Sequence, residues 1–134
     1  RMIYGGFDTL VDEGEGGGDY ADGYLVPVPD ARKEDYRALA AKMAPVFRGY
    51  GATRVVEAWG DDLPDGKLTD FRRAVKAEDG ENVVFSFVEW PDKATRDAGW
   101  AKMMEEDGPD GDMPFDGKRM FWGGFRPVVD LQAR

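Results

Sequence analysis

The hydrophobic pattern of this chain changes period several times. Stretches rich in β-branched and aromatic residues are typical of strands, and apolar residues at three- and four-residue spacing are typical of helices. The predicted strands cover residues 20–28, 53–59, 83–90 and 120–129, and the predicted helices cover 30–50 and 92–104. The order β-α-β-β-α-β predicts an α+β domain of the ferredoxin-like type, with an antiparallel four-stranded sheet and two helices on one face.

The first predicted helix has the clearest signals. Asp30 is the expected N-cap and Gly51 the expected stop, while Pro45 predicts a kink or break over residues 41–44. Its apolar face comprises Tyr36, Leu39, Ala40, Met43, Phe47 and Tyr50.

The second predicted helix is capped by Asp92. Its inward positions are expected to be Ala94, Ala98, Trp100, Ala101 and Met104. The long connection over residues 60–82 is expected to hold a short helix or extra strand near 71–75, and residues 105–112 read as an acidic loop.

The third predicted strand, residues 83–90 (VVFSFVEW), is apolar on both faces. Val83, Phe85 and Phe87 point one way, and Val84, Val88 and Trp90 point the other. Two helices cover only one face of a sheet, so the other face must meet something apolar. We therefore expect a homodimer packed through the sheet face; the alternative is a monomer with exposed apolar groups.

The chain opens on a near-copy of its own last strand. Residues 1–12 (RMIYGGFDTLVD) match residues 119–130 (RMFWGGFRPVVD) at seven of twelve positions. The spacing of about one domain length predicts that 1–12 is an extra strand left from a preceding tandem copy, and that it pairs with a sheet edge. Residues 13–19 are rich in Gly and acids and are expected to form a flexible linker, which leaves 20–131 as the domain.

Composition narrows the function classes. The net charge is −9, which repels a phosphate backbone and argues against a nucleic-acid partner. No apolar run has the length of a membrane span. Cys and His are both absent, which removes thiolate metal sites and the common nucleophile–His pairs, and suits a reducing cytoplasm. Any acid or base must then be a carboxylate, Lys or Tyr with a shifted pKa, or water.

Several segments resemble one known family. They are DGYLVPVP (22–29), YRALAAKMAPVFRGYGA (36–52), residues 61–98 and above all MPFDGKRMFWGGFRPVVDL (113–131). Together they resemble the domain of unknown function 1428, the YbaA-like family, over nearly all of 20–131. The resemblance implies a ferredoxin-like fold of the dimeric α/β-barrel superfamily and implies no established activity.

Two polar clusters are candidate ligand-binding sites. Glu57, Trp59, Asp61 and Asp62 end the second predicted strand, where a carboxylate beside an aromatic ring can act as acid or base. The alternative is a loop entry with solvated acids. Lys118 and Arg119 follow Asp116-Gly117 and can receive an anion, although a self-capping turn with a paired Arg explains them as well.

Trp90 joins these candidates as part of an aromatic set that can line an apolar pocket. The set comprises Tyr24, Phe85, Phe87, Trp90, Trp100, Phe121 and Trp122. No residue is singled out as catalytic, the adjacent acids lack the ligand spacing of a metal loop, and no cofactor motif occurs.

Two functions remain open from the sequence. One is a protein that binds a small apolar molecule between sheet and helices, which includes a cofactor-independent oxygenase or isomerase by fold analogy alone. The other is a non-catalytic dimeric or stress-associated assembly module, which predicts an exposed apolar patch and no pocket.

Overall fold

The chain folds as an α+β domain in which one antiparallel sheet carries three helices. The computed structural model describes residues 1–106 and 113–131. The strands are β1 (Gly6–Glu13), β2 (Tyr20–Pro29), β3 (Arg54–Asp62), β4 (Glu81–Trp90) and β5 (Phe121–Phe125), and the helices are α1 (Lys33–Gly49), α2 (Phe71–Ala74) and α3 (Lys93–Glu106). No helix in these ranges combines the length and apolar character needed to cross a membrane.

The sheet has five strands in the order β1-β3-β4-β2-β5, and every neighbouring pair is antiparallel. The four strands predicted for the domain are therefore present, and the extra N-terminal segment adds a fifth. β1 pairs along β3 of its own chain, with Phe7 opposite Gly60 and Val11 opposite Glu57.

The loop between β1 and β2 is held in place by hydrogen bonds. Gly16 N donates to Thr53 O at 3.0 Å, Thr53 Oγ1 donates to Gly17 O at 2.7 Å, and Asp19 N donates to Pro91 O at 2.9 Å. Gly18 has a φ of +120°, and a Cβ there would collide with the carbonyl of Trp90. The predicted flexible linker is thus a bonded loop, because its glycines let the backbone reach the ends of β3 and β4.

The last strand is shorter than its pattern predicts. β5 pairs with β2 only from Phe121 to Phe125, whereas the apolar pattern extends to Val129. Residues 126–131 are exposed and lie outside any strand. Local pattern cannot reveal this, since a strand also requires a neighbour to pair with.

Helix α1 buries Tyr36 and Ala40 of the predicted face, together with Ala44, which was not predicted; Leu39, Met43, Phe47 and Tyr50 are half-buried. Residues 30–32 form a separate 3-10 turn, and Asp30 makes no side-chain cap. Pro45 lies inside a helix that continues to Gly49, so the predicted break is absent. Gly51 follows with a φ of +115°, as expected for a helix stop.

Helix α3 faces the sheet with a different side from the one predicted. Its buried residues are Gly99 and Met103, whereas Met104 is exposed. A Cβ on Gly99 would lie 3.1 Å from the Trp90 ring, so a glycine here allows the close approach of helix and sheet. The alanine positions of α3 did not predict its buried side. The rotation of the helix is set instead by the polar contacts of Arg96. The helix includes Glu105 and Glu106, and the remainder of the predicted 105–112 loop lies outside the described residues.

The two faces of the sheet pack differently. α1 and α3 cover one face, termed the helix face, where Val26, Val84 and Val88 join a large core. The other face is termed the open face. The short helix expected near 71–75 is present on this face as α2. It covers one end through Phe71, beside Leu25.

A buried carboxylate fastens α3 to the helix face. Asp22 on β2 is fully buried and accepts three bonds of 2.7–3.1 Å from the Arg96 guanidinium. It also accepts bonds from Trp90 Nε1 at 3.1 Å and from Trp100 Nε1 at 3.2 Å. Arg96 also lies 5.4 Å from the ring centre of Trp122 on β5. The cluster therefore joins two strands and a helix to the edge strand.

Substitution Asp22→Ala should destabilise the fold by about 3–5 kcal/mol, because it leaves Arg96 and two indole N–H groups without their acceptor. Urea unfolding followed by tryptophan fluorescence measures this. Asp19→Ala is the matched control: Asp19 pairs with Arg126 on the surface, and its loss should cost less than about 1 kcal/mol. Equal losses in the two variants would contradict the proposed importance of the buried cluster.

Candidate functional site

A row of polar and aromatic side chains crosses the middle of the helix face. Glu57 on β3 lies opposite Ser86 on β4, Ser86 lies opposite Tyr24 on β2, and Tyr24 lies opposite Trp122 on β5. Strand alternation places all of them on the side covered by α1 and α3. We call Glu57, Ser86 and Tyr24 the polar row.

Glu57 is buried, and its hydrogen-bond partners among the described residues are hydroxyl groups. Tyr36 Oη of α1 donates to its Oε1 at 2.7 Å, and Ser86 bonds to the same carboxyl. Burial raises the pKa of the Glu57 carboxyl, while these two hydrogen bonds oppose the rise. No ion pair to Glu57 occurs among the described residues. Burial therefore makes Glu57 a stronger proton acceptor than an exposed Glu.

Tyr24 brings a second hydroxyl to the row. Its Oη is enclosed and makes no hydrogen bond to any residue that the structure describes. Burial raises the pKa of Tyr24 well above its ordinary value, and the nearby charges of Asp22 and Glu57 raise it further. The hydroxyl is therefore neutral and available to a ligand. Unsatisfied buried polar groups are rare in folded proteins, and this one lies beside the buried acid.

Aromatic rings surround this row. Trp122 stacks on Trp100 at 5.9 Å and on Tyr24 at 6.2 Å between ring centres. At the other end Phe115 contacts Tyr36 edge to face at 5.9 Å. The site thus combines two weakly hydrated hydroxyls and a carboxyl with flat apolar walls, an environment suited to a neutral ligand with one polar oxygen.

The predicted cluster at the end of β3 is divided by the strand. Glu57 and Trp59 are buried on the helix face, and Lys33 Nζ lies 5.4 Å from the centre of the Trp59 ring. Asp61 and Asp62 are exposed at the strand end. Alternation and burial therefore separate the acid in the core from the two solvated acids.

The predicted Lys118–Arg119 cluster is a turn bonded to its own chain. Asp116 Oδ1 accepts from Lys118 N at 2.9 Å, and Arg119 forms a bidentate pair with Glu81 at 2.6 and 2.8 Å. Lys118 is exposed. Since Glu81 and Asp116 already occupy Arg119, the structure offers no free guanidinium for an anion here.

The aromatic set of the sequence splits between the two faces. Tyr24, Trp90, Trp100 and Trp122 belong to the helix face, where Trp90 is fully buried as a donor to Asp22. The others lie on the open face, in a concavity of about 470 Å³ lined mainly by Leu25, Phe85, Phe87, Phe121 and Phe125. This concavity lies on the opposite side of the sheet from the polar row.

Sequence reasoning missed Tyr36 and Ser86 as partners of Glu57. Ser86 carries a signal, because it is the one polar residue among positions 84, 86, 88 and 90, the helix-facing positions of the predicted strand 83–90. Tyr36 reads as an ordinary helix-face aromatic, and its bond to Glu57 depends on how α1 crosses the sheet. Within the described ranges no three acidic side chains converge in an arrangement that could hold a metal ion.

Comparison with known proteins gives consistent results. A family model described as "Protein of unknown function (DUF1428)" matches residues 19–117. The "Uncharacterized protein YbaA" of Escherichia coli (strain K12) is 54% identical over 116 residues, which cover 83% of this chain and 97% of YbaA. YbaA of Shigella flexneri matches with the same identity and coverage.

The raised pKa of Glu57 predicts a pH dependence of stability. The folded state holds this proton above pH 4.5 whereas the unfolded state releases it, so the contribution of Glu57 to stability falls as pH rises from 4.5 towards the folded pKa. Glu57→Gln removes that ionisation and should gain stability over wild type with rising pH, by on the order of 1 kcal/mol.

Urea unfolding at pH 5 and pH 8 measures the difference between the two proteins. Asp61→Asn is the matched control, since Asp61 is exposed near the end of the same strand, and its difference from wild type should not vary with pH. A Glu57→Gln difference that stays constant from pH 5 to pH 8 would show that Glu57 is ionised throughout.

Proposed function

Because this chain belongs to the DUF1428 family of proteins of unknown function, its activity has to be argued from its own residues, and we propose that it binds a small neutral molecule between the sheet and the helices α1 and α3. The unpartnered Tyr24 hydroxyl carries this proposal. A buried hydroxyl without a partner costs about 1–3 kcal/mol, which a ligand oxygen would recover.

The ligand class follows from the charges around the row. Glu57 has no cationic partner among the described residues, and the charge of Asp22 is already met by Arg96. An anionic ligand would therefore meet an acid without compensation. A flat or apolar molecule with one carbonyl or hydroxyl oxygen fits Tyr24 and Glu57 at once. Its apolar part would lie against Trp100 and Trp122.

Glu57 would supply the chemistry if the bound molecule reacts. A carboxyl whose pKa burial has raised can pass a proton to or from a carbonyl compound, as an isomerase requires. Tyr24, held neutral, would donate a hydrogen bond to the oxygen on which charge develops. These roles need no cofactor.

Tyr24→Phe gives the sharpest test of ligand binding. Removing an unpartnered buried hydroxyl should raise the stability of the ligand-free protein by about 1 kcal/mol and weaken ligand binding roughly tenfold. A thermal-shift screen of small carbonyl and phenolic compounds would find the ligand, and calorimetry would compare the variants.

Tyr4→Phe is the matched control, because Tyr4 is exposed and its hydroxyl is in water. It should leave both stability and affinity unchanged. A ligand that binds Tyr24→Phe as tightly as wild type would place the site elsewhere, and a destabilised Tyr24→Phe would mean that the hydroxyl has a structural partner.

The strand order also supports the finer assignment of the fold. β3-β4-β2-β5 is the order of a ferredoxin-like sheet, with β1 added at its edge. We infer that the domain is ferredoxin-like and of the dimeric α/β-barrel type. The absence of Cys suits a reducing cytoplasm.

A second candidate function, an assembly module, is favoured by the open face. Phe121 and Phe125 are 46% and 64% exposed there, and the walls of the concavity are almost wholly apolar. α2 covers only the end of this face near Val83. A second copy presenting the same surface would bury these rings, so we infer a homodimer through the sheet face.

Phe121→Lys should convert this dimer to a monomer at micromolar concentration, because an ammonium group cannot be buried against an apolar face without a partner. Light scattering measures the mass. Met104→Lys is the matched control, since Met104 is 59% exposed on α3, away from the open face, and its variant should remain dimeric. A wild-type monomer would contradict the assembly proposal.

A further inference from the structure

A segment after β5 exposes large apolar side chains to solvent. After β5 stops at Phe125, Val128, Val129 and Leu131 are 96%, 73% and 91% exposed. Large apolar side chains this exposed, in a β-branched run next to a strand, are typical of a strand that lacks its neighbour. We call residues 126–131 the tail.

The same sequence pattern has a partner at the other end of the chain. In the match between 1–12 and 119–130, Val11 corresponds to Val129 and Leu10 to Val128. Val11 is buried in the core at the β3 edge, and Leu10 packs against that core. The β3 edge therefore accepts the kind of side chain that the tail exposes.

The charges of the tail match the same edge. Asp12 forms a bidentate pair with Arg54 of β3, at 2.9 Å for both bonds. Asp130 corresponds to Asp12 and would meet the same guanidinium. The tail can therefore repeat the ion pair that Asp12 makes at this edge.

One position tests the fit of the backbone. Pro127 corresponds to Thr9, which lies opposite Ala58 beside an irregularity in the β1–β3 pairing. A proline lacks an N–H donor and is accepted in edge strands and at bulges. The tail therefore keeps a sequence compatible with the place that β1 occupies.

We propose that the tail of one copy of this chain pairs with the β3 edge of a second copy, in the place taken by β1. β1 and the tail are then alternative occupants of one edge, and a chain of tandem copies would be joined by such strands. This inference rests on the repeat and the β1–β3 register, independently of the proposed ligand.

The two occupants compete unequally in a single copy. β1 is tied to the domain by a short loop, which gives it an effective concentration in the millimolar range. A tail from another copy, present at micromolar concentration, wins only when β1 is weakened. The test must therefore weaken β1 and trap the exchanged form.

Disulfide trapping in the full chain can capture the exchanged form, because the chain has no native Cys that would compete. Asp12→Arg weakens β1 by setting like charges against each other at Arg54 and leaves the core untouched. In that background, Ala58→Cys with Pro127→Cys should give disulfide-linked dimers and longer ladders on oxidation. Antiparallel partners lie about 4.5–5.5 Å apart between Cα atoms, within the range of a disulfide.

Three controls decide the result. Adding Asp130→Arg should reduce the ladder at least tenfold, since the tail then loses its attraction to Arg54. Thr9→Cys with Ala58→Cys in the native background should give an intramolecular disulfide, because these positions are paired in β1–β3. Pro127→Cys alone should give no product beyond a dimer.

Mass spectrometry of mixed isotope-labelled chains identifies the bond. A disulfide between positions 58 and 127 of different chains supports the proposal. A ladder unaffected by Asp130→Arg, a 58–127 bond within one chain, or oxidation without any 58–127 product would overturn it. Association through the open face differs in stopping at two copies and surviving Asp130→Arg.

Discussion

A single buried carboxylate holds the two layers of this domain together. Asp22 accepts hydrogen bonds from Arg96 and from the indole nitrogens of Trp90 and Trp100, and Arg96 in turn lies over Trp122. A buried charge is costly unless it is fully paired, so these elements can close only in one arrangement. The position and rotation of α3, the packing of the edge strand and the aromatic wall of the polar row all depend on that arrangement.

Two of the buried acids, Asp22 and Glu57, lie on the helix face near Tyr24 and have different partners. Asp22 is matched by a guanidinium, whereas Glu57 bonds to the hydroxyls of Tyr36 and Ser86 and has no cationic partner in the part of the chain that the structure describes. The guanidinium compensates the charge of Asp22, whereas burial without a cationic partner raises the pKa of Glu57. A structural acid and a candidate chemical acid are thus distinguished by their partners, while Tyr24 lies between them with a free hydroxyl.

The sequence predicts the elements well and their contacts unevenly. Strand pattern placed β2, β3 and β4, and the match between chain ends placed an extra strand at a sheet edge, because these depend on local periodicity and on a repeat. The predicted rotation of α3 was wrong, since Arg96 and Gly99 set the rotation through contacts that have no helical period. Glu57 was found as a strand-end acid. The hydrogen bond between Glu57 and Tyr36 could not be predicted from the sequence, because it depends on how helix α1 crosses the sheet.

The polar row has a further consequence for how the strands find their alignment. A one-residue slip of β4 would put Phe85 or Phe87 opposite Glu57 and turn Ser86 to the open face. The carboxyl would then lose one of its two hydroxyl partners, and a phenyl ring would enter the space beneath Tyr36. A sheet with this misalignment is therefore less stable than the native sheet, because its central carboxyl lacks a hydrogen bond. Glu57, which is suited to binding, thus also favours the native strand register during folding.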